Sequence, residues 1–436
     1  MNKLRLMLSV LCVAPWVAGA STGMYAGKGV TADGSVLIGR TADFSPCNAT
    51  MFQQICEPGT QVTLGGKANK YRYVCVPMAT SLNVGRYVGS AVNEKGVILT
   101  VTGTGATKAK ALENDPFVCE KNGGVGESKL ADYMIGNAAT AHEAVELLTG
   151  AIRTFGHDGA KIYMVADENE AWYVEVYTGH EWAVVKMPED KAAVFGDHFN
   201  LRGLDPNDTE NAMHSPLFFE PGHKIAPTNM FELMRARHED MADGDIPTMR
   251  TNAAIRVIGT AKQGGCQVLQ LDCRETTPEN MRGTVWSCLG AAEYGVFHPI
   301  NASQNHLPEA YANDAHRTFG YDPNRAADAF RRLSALAQSN RKWYGPGVRN
   351  YWRAQEERMA VEWSRKLDEA IVSGDSAALS AYTFDEETHS LMVAKRMYDE
   401  LLWYAAANNR IAGDGCEATD EPVEPFKPSE TEKEVR

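Results

Sequence analysis

Small and apolar residues run from Thr22 to Val30, Asp33-Gly34 follows as a turn signal, and Val36-Leu37-Ile38 begins a return strand. The pattern predicts a β-hairpin at the start of this region. Further strand-like runs lie at Tyr71–Val76, Val97–Thr102, Lys161–Ala166, Ala171–Tyr177 and Ala192–Phe195. Between them the period changes. Thr140-Ala-His-Glu143 reads as a capping box, Val145, Leu148 and Ile152 recur at helical spacing, and Gly156 stops the helix. A second strand-rich block covers Gln267–Phe297, and beyond Pro323 the pattern turns helical over Arg325–Gln338, Val348–Ile371 and Glu386–Ala407. After Cys416 the chain is acidic, contains proline and has no periodicity, which predicts disorder. No internal repeat interrupts this order. It describes one α+β body with a helical C-terminal part packed on it.

The first twenty residues follow a different logic. Lys3 and Arg5 form a short positive region, and an apolar run from Leu6 to Val17 is broken only by Ser9 and Pro15. The run ends in Ala18-Gly19-Ala20, the small-x-small pattern of a signal-peptidase site. It is shorter than the roughly twenty residues a helix needs to cross a bilayer. The expectation is a signal peptide over 1–20, cleaved between Ala20 and Ser21, and a secreted or periplasmic protein. The remaining divisions are then a catalytic body over 21–320, a helical part over 321–415 and the acidic tail 416–436.

Composition sharpens this reading. The 436 residues carry 43 Lys and Arg against 56 Asp and Glu, a net charge of −13. Losing Lys3 and Arg5 with the leader makes it 41 − 56 = −15. Nucleic-acid binding needs a basic surplus that this chain lacks. A hydrophobic content of 44% supports a sizeable core. The cysteines left after cleavage are Cys47, Cys56, Cys75, Cys119, Cys266, Cys273, Cys288 and Cys416, an even number that permits disulfides in an oxidising compartment. Short spacing favours Cys47/Cys56 and Cys266/Cys273, with free buried thiols as the alternative. No C-x-x-C, H-E-x-x-H, G-x-S-x-G or phosphate-binding loop occurs, so neither a metal nor a cofactor has sequence support.

Cleavage before Ser21 has a chemical consequence. A nucleophilic side chain on the first residue can use its own α-amine, with an ordinary pKa near 7.7–8.0, as general base. The predicted hairpin brings back Arg40-Thr-Ala-Asp43 beside that end. An arginine and an aspartate there can orient the amine and hold a substrate carboxylate.

Further matching stretches are Thr31-Ala-Asp-Gly-Ser35, Asn93-Glu-Lys-Gly-Val97, Ala141-His-Glu-Ala-Val-Glu-Leu-Leu148 and Glu170-Ala-Trp-Tyr-Val-Glu175, then Gly179-His180 with Trp182. Leu204-Asp205 to Glu210-Asn211, Trp286, Gly295-Val-Phe-His-Pro299, Trp343-Tyr344 and Trp352 follow in order. In this series the sequence resembles the C69-family dipeptidases, N-terminal-nucleophile (Ntn) hydrolases related to penicillin V acylase and bile salt hydrolase. The resemblance implies a four-layer αββα sandwich and hydrolysis of dipeptides with a free N-terminus through an acyl-enzyme. Small peptides would be the partners, a homo-oligomer being left open. An amidase acting on N-acyl compounds and an inactive binding relative are the competing readings.

Two positions depart from the family pattern. Ser21 stands where the family carries cysteine. Asp197, in Phe195-Gly-Asp-His-Phe-Asn200, stands where relatives have an asparagine that donates to the oxyanion, so Asn200 becomes the alternative donor. The candidate catalytic set is Ser21, Arg40, Asp43, Asp197 and Asn200. Relatives also bring a polar side chain to the site near Thr102-Gly103-Thr104. Arg256 could be a second carboxylate anchor. Glu175 reads as a paired structural carboxylate, His142 as solvated, and His180, Trp182 and the tryptophans from Trp343 onward as packing residues.

Overall fold

A computed structural model describes residues 21–44, 49–61, 63–80, 86–103, 107–196, 198–201, 218–237, 258–260, 263–312 and 321–407. Residues 1–20, Asp197, Leu204–Asp205, Glu210–Asn211, Arg256 and the residues from Cys416 onward lie outside these residues.

The chain begins with the expected hairpin, β1 (Gly23–Ala26) and β2 (Val36–Asp43). Next come β3 (Ala49–Met51), β4 (Gln54–Cys56), β5 (Tyr73–Thr80), β6 (Arg86–Asn93) and β7 (Ile98–Gly103). Helices α1 (Ala109–Asn114), α2 (Glu127–Asn137) and α3 (Ala141–Phe155) precede β8 (Lys161–Ala166), β9 (Ala171–Val176), β10 (Trp182–Lys186), β11 (Ala192–Phe195) and β12 (Phe218–Phe219). After α4 (Pro227–Arg235) the strands β13 (Gln263–Leu271), β14 (Gly283–Cys288) and β15 (His298–Asn301) complete the sheets. Three C-terminal helices span Ala326–Ser339, Gly345–Ser373 and Ala377–Ala407.

One sheet has the order β12-β11-β1-β2-β13-β14-β15, the other β10-β9-β8-β7-β6-β5-β3, with β4 also paired to β5. The named strand pairs are antiparallel. Alternation along each strand creates two cores. Leu99, Val101, Tyr163 and Val165 join a cluster with Leu130, Ile135, Leu148 and Ile152 of α2 and α3. Their neighbours Ile98, Ile162 and Met164 belong to the other cluster, which fills the space between the sheets and continues beneath α4 and the C-terminal helices. The layers are therefore helix, sheet, sheet, helix, an αββα sandwich of the α+β class. Period-two patterning predicts this two-sided burial, because each face of each sheet has its own apolar partner.

Local signals account for the best-predicted elements. Thr140 caps α3 by accepting from the Glu143 amide at 3.1 Å, and Glu143 reaches back to the Ala139 amide at 2.7 Å. Gly156 ends the helix at φ 76°, a conformation that favours glycine. Trp352 and Trp363 are buried, the latter with its ring 6.3 Å from Trp286.

Other expectations need correction. Strands β6 and β10 were not predicted, and the last helix begins at Ala377 instead of near Glu386. The Cys266/Cys273 pairing fails, since both thiols are free. Extended β13 carries Cys273 away from Cys266, which instead stands opposite Cys288. Cys56 is also free, with its sulfur 4.0 Å from that of Cys75, and Cys47 lies outside the described residues. Cys119 is disulfide-bonded.

Candidate active site

Strand β1 lies inside its sheet, between β11 and β2, so the residue preceding it is held from both sides. Gly23 is directly opposite Arg40 on one neighbour and Phe195 on the other. A Cβ on Gly23 would lie 2.1 Å from the Phe195 ring, so that ring excludes any larger residue. Toward the chain start, Thr41 Oγ1 accepts from the Thr22 amide at 3.0 Å, and the Thr41 amide donates to the Thr22 carbonyl at 2.9 Å. These bonds bring the buried Ser21 to the end of β2 that carries Arg40 and Asp43.

Arg40 is 6% exposed, and its Nε has no hydrogen-bond partner. It stands opposite Gln267 of β13, whose side-chain oxygen accepts from Ser90 of β6 at 3.4 Å, so Arg40 occupies the space between the sheets. There its guanidinium meets Gly89. A Cβ on Gly89 would fall 1.4 Å from Nη1, so the bare backbone makes the room. The pairing of β5 with β6 shifts register at this point, a bulge that bends β6 around the guanidinium. Burial lowers the affinity of Arg40 for its proton, and the carboxylates of Glu127 and then Asp43 oppose that effect. Asp43 is also buried, at the last position of β2 opposite Gln263.

Of the remaining predicted residues, Asp197 lies outside the described set. Asn200 is described, and its amide is committed. Nδ2 donates to the Tyr173 hydroxyl at 3.0 Å and to the His198 carbonyl at 2.6 Å. The Asn200 backbone amide donates to Glu175 at 2.5 Å. Glu175 is fully buried and also accepts from the hydroxyls of Tyr173 at 2.8 Å and Tyr177 at 2.9 Å. It is the structural carboxylate that the sequence suggested. Thr102 is buried between the sheets with Oγ1 unpartnered, whereas Thr104 lies outside the described residues.

His142 is solvated, as expected, at 60% side-chain exposure. His180 differs from expectation. Its ring is partly exposed and lies 2.8 Å from Asp115, fastening the end of α1 to the turn after β9. Trp182 is half-buried beneath the Arg153 guanidinium, 5.5 Å from its ring centre.

Sequence reasoning missed Gly89, Glu127 and Lys161. Glu127 is the first residue of α2, and its carboxylate is 2.6 Å from Lys161 Nζ at the start of β8. The helix start at Gly126-Glu127 was a weak signal for the first of them. Gly89 and Lys161 acquire meaning only once distant strands are paired. Among the described residues, no group of three or more His, Cys, Asp or Glu could hold a metal ion.

The arrangement is a buried hydroxyl two residues before β1, on a hairpin whose second strand carries the buried Arg40 and Asp43, within an αββα sandwich. That combination defines a candidate nucleophilic hydrolase. Residues 20–220 match Peptidase family C69. Probable dipeptidase B of Streptococcus pyogenes serotype M3 (strain ATCC BAA-595 / MGAS315) is 33% identical over 210 residues, 46% of this chain and 41% of that protein. The chain thus spans less than half the length of that relative. Probable dipeptidase B of Lactococcus lactis subsp. lactis (strain IL1403) is 22% identical over 397 residues, 74% of this chain and 82% of its own. Among solved structures, penicillin V acylase from Agrobacterium tumefaciens aligns with a TM-score of 0.33 at 11% identity, covering 65% of this chain and 86% of that one.

Proposed function

We propose that the chain is a secreted or periplasmic dipeptidase whose nucleophile is Ser21 Oγ, made competent by cleavage after Ala20. The observation that carries this reading is the β1–β2 register, in which Gly23 opposes Arg40 and Ser21 extends the strand toward Asp43. The C69 match over residues 20–220 and the dipeptidase names of the relatives support the substrate class.

The free α-amine of Ser21 takes the Oγ proton as the oxygen attacks the scissile carbonyl carbon. Collapse of the tetrahedral adduct breaks the C–N bond, and the α-ammonium returns its proton to the leaving amine. An ester to Ser21 remains. Water attacks this ester with the same amine as base, releasing the N-terminal amino acid and restoring the hydroxyl. Arg40 and Asp43 orient the reacting end. Asn200 serves as an oxyanion donor only if its amide gives up Tyr173 or His198, so its present bonds argue for a supporting role.

The test uses mature protein with a sequenced Ser21 terminus, assayed on dipeptides and N-acyl amino acids. Dipeptide turnover is expected, with a fall of at least about 1,000-fold in Ser21→Ala and in a form carrying one extra N-terminal residue. Turnover that survives both changes rules out the terminal nucleophile. Activity confined to N-acyl substrates replaces the dipeptidase with an amidase.

A further inference from the structure

Strands β4 and β5 bring two free thiols together. Cys56 stands opposite Tyr73 and Cys75 opposite Gln54, so the cysteines are diagonal neighbours on one face of the pair. Both are fully buried in the cluster shared with α2 and α3, and their sulfurs are 4.0 Å apart. A disulfide bond is about 2 Å long, so rotation of the two side chains is enough to close it.

Arg86, at the start of β6, touches both sulfurs. Its Nη1 lies 3.5 Å from Cys75 Sγ and its Nη2 3.8 Å from Cys56 Sγ. The guanidinium does not depend on them. Nη2 also donates to Asp132 of α2 at 2.6 Å and to Gln61 at 3.0 Å, so joining the sulfurs leaves no buried cation without a counter-charge. The hydrogen bond with Cys75, aided by the charge of Arg86, lowers the pKa of Cys56 against the effect of burial. Burial pushes Cys75 the other way, which makes Cys56 the readier thiolate. Cys119 is already disulfide-bonded, so oxidised sulfur belongs to this fold.

We propose that Cys56 and Cys75 form a second disulfide as the chain folds, closed by exchange with a disulfide oxidant of the glutathione class. The Cys56 thiolate attacks one sulfur of the oxidant, breaks its S–S bond and releases the first glutathione thiolate. The Cys75 thiolate then attacks the Cys56 sulfur of the mixed disulfide and expels the second. The protons lost by the two cysteines pass to the two glutathione thiolates, and the two electrons lost by the protein reduce the oxidant. Exchange precedes the closure of α2 over the strands, because the folded protein exposes neither sulfur. Cys75 is also the residue beside the register shift that bends β6 around Arg40. The bond braces that bend from the β5 side.

The test refolds the mature protein from denaturant and reductant in a glutathione redox buffer. Free thiols are alkylated, and the protein is digested without reductant and mapped by mass spectrometry. A peptide bearing Cys56 joined to one bearing Cys75 is expected in most molecules. Alkylated Cys56 and Cys75 in the folded protein overturn the proposal, and so does Cys56 joined to Cys47, the partner that spacing alone favours. Melting temperatures supply a second readout that does not depend on how well a variant packs. The gap between the parent and Cys56→Ser/Cys75→Ser is compared with and without reductant, and reductant should narrow it by roughly 5 °C. A gap unmoved by reductant overturns the proposal as well.

Discussion

Arg235 and Arg40 are buried almost equally, at 4% and 6% exposure, yet they are surrounded in opposite ways. Arg235, at the end of α4, donates from Nε to the Ala292 carbonyl at 2.7 Å, from Nη1 to Glu232 at 2.9 Å and from Nη2 to Glu356 at 2.6 Å. Burial alone would lower its pKa, but the two carboxylates outweigh it and the net shift is upward. Around Arg40 burial prevails, and Nε has no partner. A buried cation with every nitrogen hydrogen-bonded is a structural clamp. One held with a donor unused retains interaction energy for something that arrives later.

The largest effect should come from breaking the clamp. Arg235→Met leaves Glu356 buried without its cation and is expected to cost about 3–5 kcal/mol in urea unfolding. A loss below about 1 kcal/mol would mean that the network is not the clamp described here. Arg40→Met should behave in the reverse sense. Dipeptide kcat/KM falls on the order of 100-fold, while unfolding free energy changes by less than about 1 kcal/mol. A variant that unfolds readily would erase the contrast between the two arginines.

The smallest effect challenges the contrast on the clamp's own side of the molecule. Glu387, on the last helix, is fully buried and receives one side-chain hydrogen bond, from Gln53 Nε2 at 2.5 Å. Burial raises its pKa from 4.5 to about 8, against the effect of Gln53. The folded protein therefore holds a proton that the unfolded chain releases above about 4.5, and stability falls as pH rises from there to about 8. Glu387→Gln should flatten that dependence and add on the order of 2 kcal/mol at pH 8, measured as urea midpoints across the range. A pH profile identical to the parent protein would show that Glu387 is not the group responsible.

Much of this architecture was legible because the relevant signals are local. The β1–β2 turn, the Thr140 cap, the Gly156 stop and the period-two runs each act within a few residues. Ser21, Arg40 and Asp43 were selected because one hairpin joins them. Gly89 was not, since its role arises from an arginine on another sheet and from a bulge in a strand that was not predicted. Lys161 was missed for a similar reason. Nothing near it in sequence reveals that α2 begins beside it. Asn200 was selected as a polar group, and the structure shows that Tyr173 and His198 occupy its amide.

The interior place of β1 also bears on how the molecule assembles. Its partners are β2, a few residues away, and β11, whose Phe195 faces Gly23 from far along the chain. On its other side β2 pairs with β13, which comes later still. The earliest described strand cannot acquire its full set of neighbours until much of the chain is available, and pairings between distant segments fold slowly. Ser21 precedes a strand whose sheet neighbours β11 and, beyond β2, β13 are made after it. A nascent chain would therefore carry the residue long before it had the site.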